Sequence, residues 1–159
     1  MTMSFVPAAS TFEAAGDVDR LRTLYQVGTR AMMALSLPIL VTLMVRGRTF
    51  IGLWMGTQYE QTSGTVLIIL AVALIFSQAN NTSGAIAFGT ERHKVTARWA
   101  ILEGVCNLVL SITLVHFLGI KGVAIGTLLP SLFINLILWP RYTGKMLNLS
   151  PWALSLIHI

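Results

Sequence analysis

Charge is scarce in this chain: Asp, Glu, Lys and Arg make up 11% of its 159 residues, against roughly 25% in soluble globular domains. With 55% hydrophobic residues and a mean hydropathy of +0.74, the composition predicts an integral membrane protein. Cysteine is scarcer still. Cys106 stands alone, which excludes an intrachain disulfide and a cysteine-based metal centre; beside Asn107 in an apolar run it reads as a small packing residue. His93, His116 and His158 are far apart, and no HExxH, CxxC or GxxxxGK[ST] pattern occurs. Every acidic residue except Glu103 falls in a predicted loop, so no carboxylate pair is available for acid–base chemistry. The chain is therefore not read as an enzyme, and nothing in it calls for a cofactor or a metal. The net charge of +5 invites a nucleic-acid reading, but the eleven Lys and Arg residues are scattered between apolar runs and form no basic stripe with interleaved aromatics. No nucleic-acid partner is expected. Residues 1–6 have neither the positive start nor the apolar length of a secretory leader and read as the tail of an earlier helix. There is no internal repeat or low-complexity linker, which leaves one domain or part of one.

What the chain does contain is four apolar stretches of membrane length, about 20 residues being needed to cross roughly 30 Å of hydrocarbon. The first predicted span covers 24–46, around an uncharged centre at 31–45, with Arg30 and Arg46 placed to snorkel from its ends. Ahead of it, Asp17 occupies an N-cap position, and Val18, Leu21, Leu24 and Gly28 follow at helical spacing. This predicts an amphipathic cytoplasmic lead-in over 8–23, lying along the membrane surface. The second span, 62–84, falls in a charge-free window at 61–90 that would be about 45 Å long as one helix. The third covers 99–118 and the fourth 122–139. Phe50, Trp54 and Tyr59 in the connection at 46–60 suit an interfacial aromatic belt. Allotting cations to alternate sides puts Arg20, Arg22, Arg30, Arg92, Lys94, Arg98, Arg141 and Lys145 on one side, against Arg46, Arg48 and Lys121 on the other. That excess predicts both termini in the cytoplasm.

Polar residues inside such spans are the candidate functional groups. Glu103, Asn107 and Ser111 recur at four-residue steps and so share one helical face. An ionisable group at the centre of a span costs about 2.5–3.5 kcal/mol on insertion scales and normally faces protein or water. Two readings follow. The stripe lines a pathway for polar cargo, or Glu103 stays solvated five residues past Arg98 while Asn107 and Ser111 bond a neighbouring helix. The run at 77–83, which holds Gln78, Asn80, Asn81, Thr82 and Ser83, is tolerated at membrane depth only where it faces other helices or a wet cavity. Arg30 suits an anionic head group or pyrophosphate, as guanidinium forks do, or serves as a snorkelling anchor. Gly119 and Gly122 bracket Lys121 at a tight reversal, and Gly122 and Gly126 form GxxxG, which lets helix backbones approach closely. Pro130 and Pro38 withhold N–H groups from the carbonyls of Gly126 and Ala34, which predicts kinks there.

Several blocks follow one another in a telling order: Pro7 with Ala8, Ala9 and Ser10; Gly16-Asp17 ahead of the stretch at 21–30; the span with Pro38; Ile51-Gly52-Leu53-Trp54-Met55-Gly56 with Tyr59; Gly89-Thr90-Glu91-Arg92-His93-Lys94; then Glu103, Asn107-Leu108, Ser111 and Gly119-Ile120-Lys121-Gly122-Val123-Ala124-Ile125-Gly126-Thr127. From about Pro7 to Pro151 this order resembles the C-terminal part of bacterial polysaccharide-export flippases. These form the O-antigen and oligosaccharide flippase family of the multidrug/oligosaccharidyl-lipid/polysaccharide exporter superfamily. The resemblance implies an all-α membrane protein whose four transmembrane helices form part of a polytopic flippase-type bundle, completed by N-terminal helices of the same protein. It implies translocation of undecaprenyl-pyrophosphate-linked oligosaccharide across the inner membrane by alternating access. The expected partners are that lipid-linked oligosaccharide and membrane lipids, and the expected binding residues are Arg30, Gln78, Asn80, Asn81, Glu103 and Asn107. Residues 154–159 look unlike the family's continuation and resemble translated sequencing-adapter readthrough. The rival readings are a cation-coupled multidrug exporter of the same superfamily, with Glu103 as the coupling carboxylate, and a self-contained four-helix membrane protein that dimerises through Gly122 and Gly126.

Overall fold

A backbone that crosses hydrocarbon must satisfy its own N–H and C=O groups, which an α-helix does within one segment. The computed structural model describes residues 5–147, and every regular element among them is helical. In chain order these are α1 (Phe5–Ala14), α2 (Val18–Met55), α3 (Thr57–Glu60), α4 (Thr62–Gly89), α5 (His93–Leu118), α6 (Ile120–Phe133), a π-helical turn (Ile134–Leu138) and α7 (Trp139–Leu147). Four rods, α2, α4, α5 and the continuous α6–π–α7 unit, are long and apolar enough to cross a membrane. The four expected spans are all present, and the fold is that of an all-α membrane protein. Residues 154–159 lie outside the described residues.

The first span and its lead-in differ from expectation. Asp17 does cap α2, its Oδ1 accepting the Arg20 backbone N–H at 3.0 Å, but α2 then runs for 38 residues without interruption. Residues 18–23 are thus the first turns of the spanning helix, and 46–55 are its last turns, not a loop. Apolarity marks only how much of a helix suits hydrocarbon; its backbone bonds carry on into water until a residue breaks them. Here that residue is Gly56, at φ 107°. The same continuation takes α4 on to Gly89 and starts α5 at His93. The rest of the lead-in forms a separate helix packed on the bundle. Gly16, at φ 67°, turns the chain, and α1 packs onto the end of α4, where a Cβ on Gly89 would lie 2.6 Å from the Val6 carbonyl. Ala9 is fully buried there in a cluster with Leu21, Tyr25, Ile86 and Leu147.

Neither proline breaks its helix. α2 is continuous through Pro38 and α6 through Gly126 and Pro130; the irregularity in the fourth rod comes later, at Ile134–Leu138. Small residues set the packing. α2 and α4 run antiparallel and close, a Cβ on Gly28 falling 2.8 Å from Thr82 Cγ2 and one on Gly64 falling 2.7 Å from Arg48 Cα. Gly119, at φ 59°, reverses the chain between α5 and α6. In that hairpin Gly122 faces the Leu114 carbonyl, and a Cβ on Gly126 would lie 2.5 Å from Ser111 Oγ. The GxxxG face is therefore occupied by α5 of the same chain, which removes it as a surface for dimerisation. No residue of α5 is buried, and most of its apolar side chains are exposed, as lipid-facing positions are.

Candidate functional site

The polar run on α4 is divided by helical rotation. Asn80 is 5% exposed, and Thr82 and Ser83 are buried, while Asn81 points outward. Asn80 Nδ2 donates to the carbonyls of Phe76 at 3.2 Å and Asn135 at 2.9 Å, and to Asn135 Oδ1 at 3.3 Å. Asn135 is itself 6% exposed and sits in the π turn. Its Nδ2 donates to the carbonyl and Oγ of Ser131, at 2.9 and 3.2 Å. Single-turn π segments recur at functional sites, and this one joins two spanning rods through a buried amide pair.

These amides border a cleft of about 240 Å³. Its walls are Met33 from α2, Ile75 and Phe76 from α4, Leu136 from the π turn and Pro140 from α7, with Asn80 and Asn135 as the polar components. Asn80 Oδ1 has no hydrogen-bond partner among the described residues. A buried carboxamide acceptor left unmatched costs about 1–3 kcal/mol; this oxygen has less than 1 Å² of accessible surface, so a ligand hydroxyl or N–H meets it only where the cleft wall shifts. No charged side chain lines the cleft; it suits neutral, hydrogen-bonding groups rather than an ion. Beside it a second polar seam joins α2 to α4, with Tyr25 and Thr29 buried against Thr82 and Ser83. Among the described residues no cluster of His, Cys, Asp and Glu could hold a metal ion.

Of the six residues singled out in the sequence, the structure places only Asn80 on the cleft. Gln78 and Asn81 are joined on the outer side of α4, Asn81 Nδ2 donating to Gln78 Oε1. Arg30 is exposed, three residues before Met33, and so lies within one turn of the cleft wall. Glu103 is half-buried on α5 and makes no ion pair or hydrogen bond among the described residues. Asn107 instead fastens the α5–α6 hairpin. Its Nδ2 donates to Thr127 Oγ1 at 3.3 Å, its Oδ1 accepts from Ser111 Oγ at 2.8 Å, and Ser111 Oγ also lies 3.3 Å from the Val123 carbonyl. The helix-bonding reading of this pair is the one the geometry supports. Sequence reading missed Asn135 and Ser131, although a signal existed: a serine and an amide four residues apart inside an apolar run, the Asn107 and Ser111 pair in reverse order.

Fold and cleft together define an all-α, multi-pass membrane protein that carries buried amides between its spanning helices. Comparison with models of known protein families, with curated proteins and with solved structures finds no match.

Proposed function

We propose that this chain is part of a flippase that moves undecaprenyl-pyrophosphate-linked oligosaccharide across the inner membrane for polysaccharide biosynthesis, with both termini in the cytoplasm. The observation that carries the reading is the cleft holding buried Asn80 and Asn135, with Asn80 Oδ1 unmatched. Neutral amides at membrane depth suit a polyhydroxylated cargo, since each hydroxyl can meet an acceptor without any charge being stripped of water. The ordered sequence blocks supply the lipid-linked class of that cargo. Arg30, one turn from Met33, suits the pyrophosphate as a bidentate donor. Further helices of the same protein, N-terminal to those described, would close the cleft into a translocation cavity. The cation-coupled exporter reading needs Glu103 on the pathway, and Glu103 does not line the cleft. Deleting the parent gene should make undecaprenyl-linked repeat units accumulate on the cytoplasmic side, with reversal on complementation by the intact gene. Unchanged lipid intermediates and surface polysaccharide in the deletion strain would refute the proposal.

A further inference from the structure

A second groove, distinct from the cleft, runs between α5 and the fourth rod. Its volume is about 260 Å³, and it is walled by Leu102, Cys106 and Leu110 on one side and Leu129, Pro130 and Phe133 on the other. The α5 wall repeats at four-residue steps and so forms one stripe extending about 12 Å along the helix. One step further back in that stripe is Arg98, which is exposed. Arg98 precedes Trp99, whose ring meets Trp139 and Tyr142 edge-to-face at centroid distances of 5.1 and 5.2 Å. Arg141 lies between those two partners in sequence and is also exposed. The aromatic cluster thus brings together the start of α5 and α7, the two segments that carry Arg98 and Arg141. Neither arginine enters an ion pair among the described residues. Trp and Tyr concentrate at the membrane–water boundary, so the groove begins at that boundary and descends into hydrocarbon.

We propose that this groove is a binding site for an anionic phospholipid of the leaflet at the basic end of the bundle. One acyl chain lies along Leu102, Cys106 and Leu110, and the phosphate sits over Arg98 and Arg141. Charge complementarity selects this occupant. A dry apolar slot alone accepts any acyl chain, but two unpaired arginines at its mouth favour a head group with net negative charge, each surface cation strengthening the attraction. Arginine also meets phosphate oxygens bidentately. The site is independent of the proposed cargo cleft and does not depend on flippase activity.

Native mass spectrometry of the purified chain in detergent tests the site, with phosphatidylglycerol and phosphatidylcholine of matched acyl chains added in equal amounts. Phosphatidylglycerol should be retained about thirtyfold more than phosphatidylcholine, as two surface cations at about 1 kcal/mol each imply. Arg98→Gln with Arg141→Gln should bring that ratio close to one. Arg46→Gln with Arg48→Gln makes the same charge change elsewhere in the chain and should leave the ratio intact. Cys106→Trp fills the groove and should lower retention of both lipids. Equal retention of the two lipids, a ratio unmoved by the Arg98 and Arg141 changes, an equal loss in the Arg46 and Arg48 control, or full retention in Cys106→Trp would each overturn the assignment.

Discussion

Asn80 and Gly126 show how much a single position decides in an apolar bundle. Asn80 Nδ2 faces three acceptors, two of them on Asn135, so Asn80→Leu leaves the π-turn carbonyl without this donor. Interhelical polar contacts in membranes are worth about 0.6 kcal/mol on average and up to about 1.7. Asn80→Leu should fall in that range, read as a lowered Tm in detergent; an unchanged or raised Tm would show that the amide pair does not hold the rods together. Gly126 tests close approach. A Cβ there lies 2.5 Å from Ser111 Oγ and 2.7 Å from Ser111 N, so Gly126→Leu should destabilise by about 1–3 kcal/mol, the usual cost of overpacking. Gly104, with nothing within 4 Å of its Cβ position, gives the contrast: Gly104→Ala should be neutral or stabilising by up to about 1 kcal/mol. Equal effects at the two glycines would contradict the α5–α6 packing. At this scale the sequence was legible where the partner is local. Asn107 and Ser111 share one face of a helix, and that face was expected to bond a neighbouring helix, as both do to α6. Asn80, Gln78 and Asn81 were indistinguishable, because only the positions of α2 and the fourth rod decide which of them faces inward.

Among the elements, α2 shows why span boundaries are poorly read from hydropathy. Its apolar centre was evident, but its ends are set by local breakers, Asp17 with Gly16 at one end and Gly56 at the other. Asp17 is the cap, so Asp17→Ala should cost about 0.5–2 kcal/mol and show as faster amide hydrogen exchange in the first turn of α2. Exchange unaltered at residues 18–21 would mean that packing of Leu21 and Tyr25, not the cap, fixes this end. The ion pair of Asp17 with Arg20 is exposed and adds little. The fourth rod offers the opposite lesson. Pro130 pointed to a kink near Gly126, where α6 stays α-helical, and the turn that departs from α geometry falls later, where Asn135 meets Asn80. The missing N–H is a local fact; where a rod departs from α geometry also depends on which neighbour it must meet.

At the scale of the whole molecule, orientation follows from charge rather than contacts. The turn between α4 and α5 carries Arg92, the first turns of α5 add Lys94 and Arg98, and Arg92 pairs with Glu13 of α1 at 3.3 Å. This ties the turn to the N-terminal helix at the same end of the bundle. A topology reporter fused after Arg92 should give a cytoplasmic signal; a periplasmic one would reverse the charge-based assignment and, with it, the leaflet from which the proposed cargo would enter. α5 meets its neighbours mainly through the α6 hairpin and buries no residue, which leaves its flank to lipid, or to further helices of the proposed translocation bundle.

Taken alone, the sequence determined the class of this protein and the number of its spans. Twenty or so apolar residues must form a helix in hydrocarbon whatever else they touch, and that requirement is local. It also determined the reversal at Gly119 and the close-packing glycines at 122 and 126, because a missing side chain acts on its immediate surroundings. Only the tertiary structure decided that α1 folds onto the end of α4, that the GxxxG face is filled by α5, and that Asn80 and Asn135 meet across 55 residues of chain. Burial of one face of a helix depends on the rods around it, and nothing in the periodicity of a uniformly apolar span says where those rods will lie.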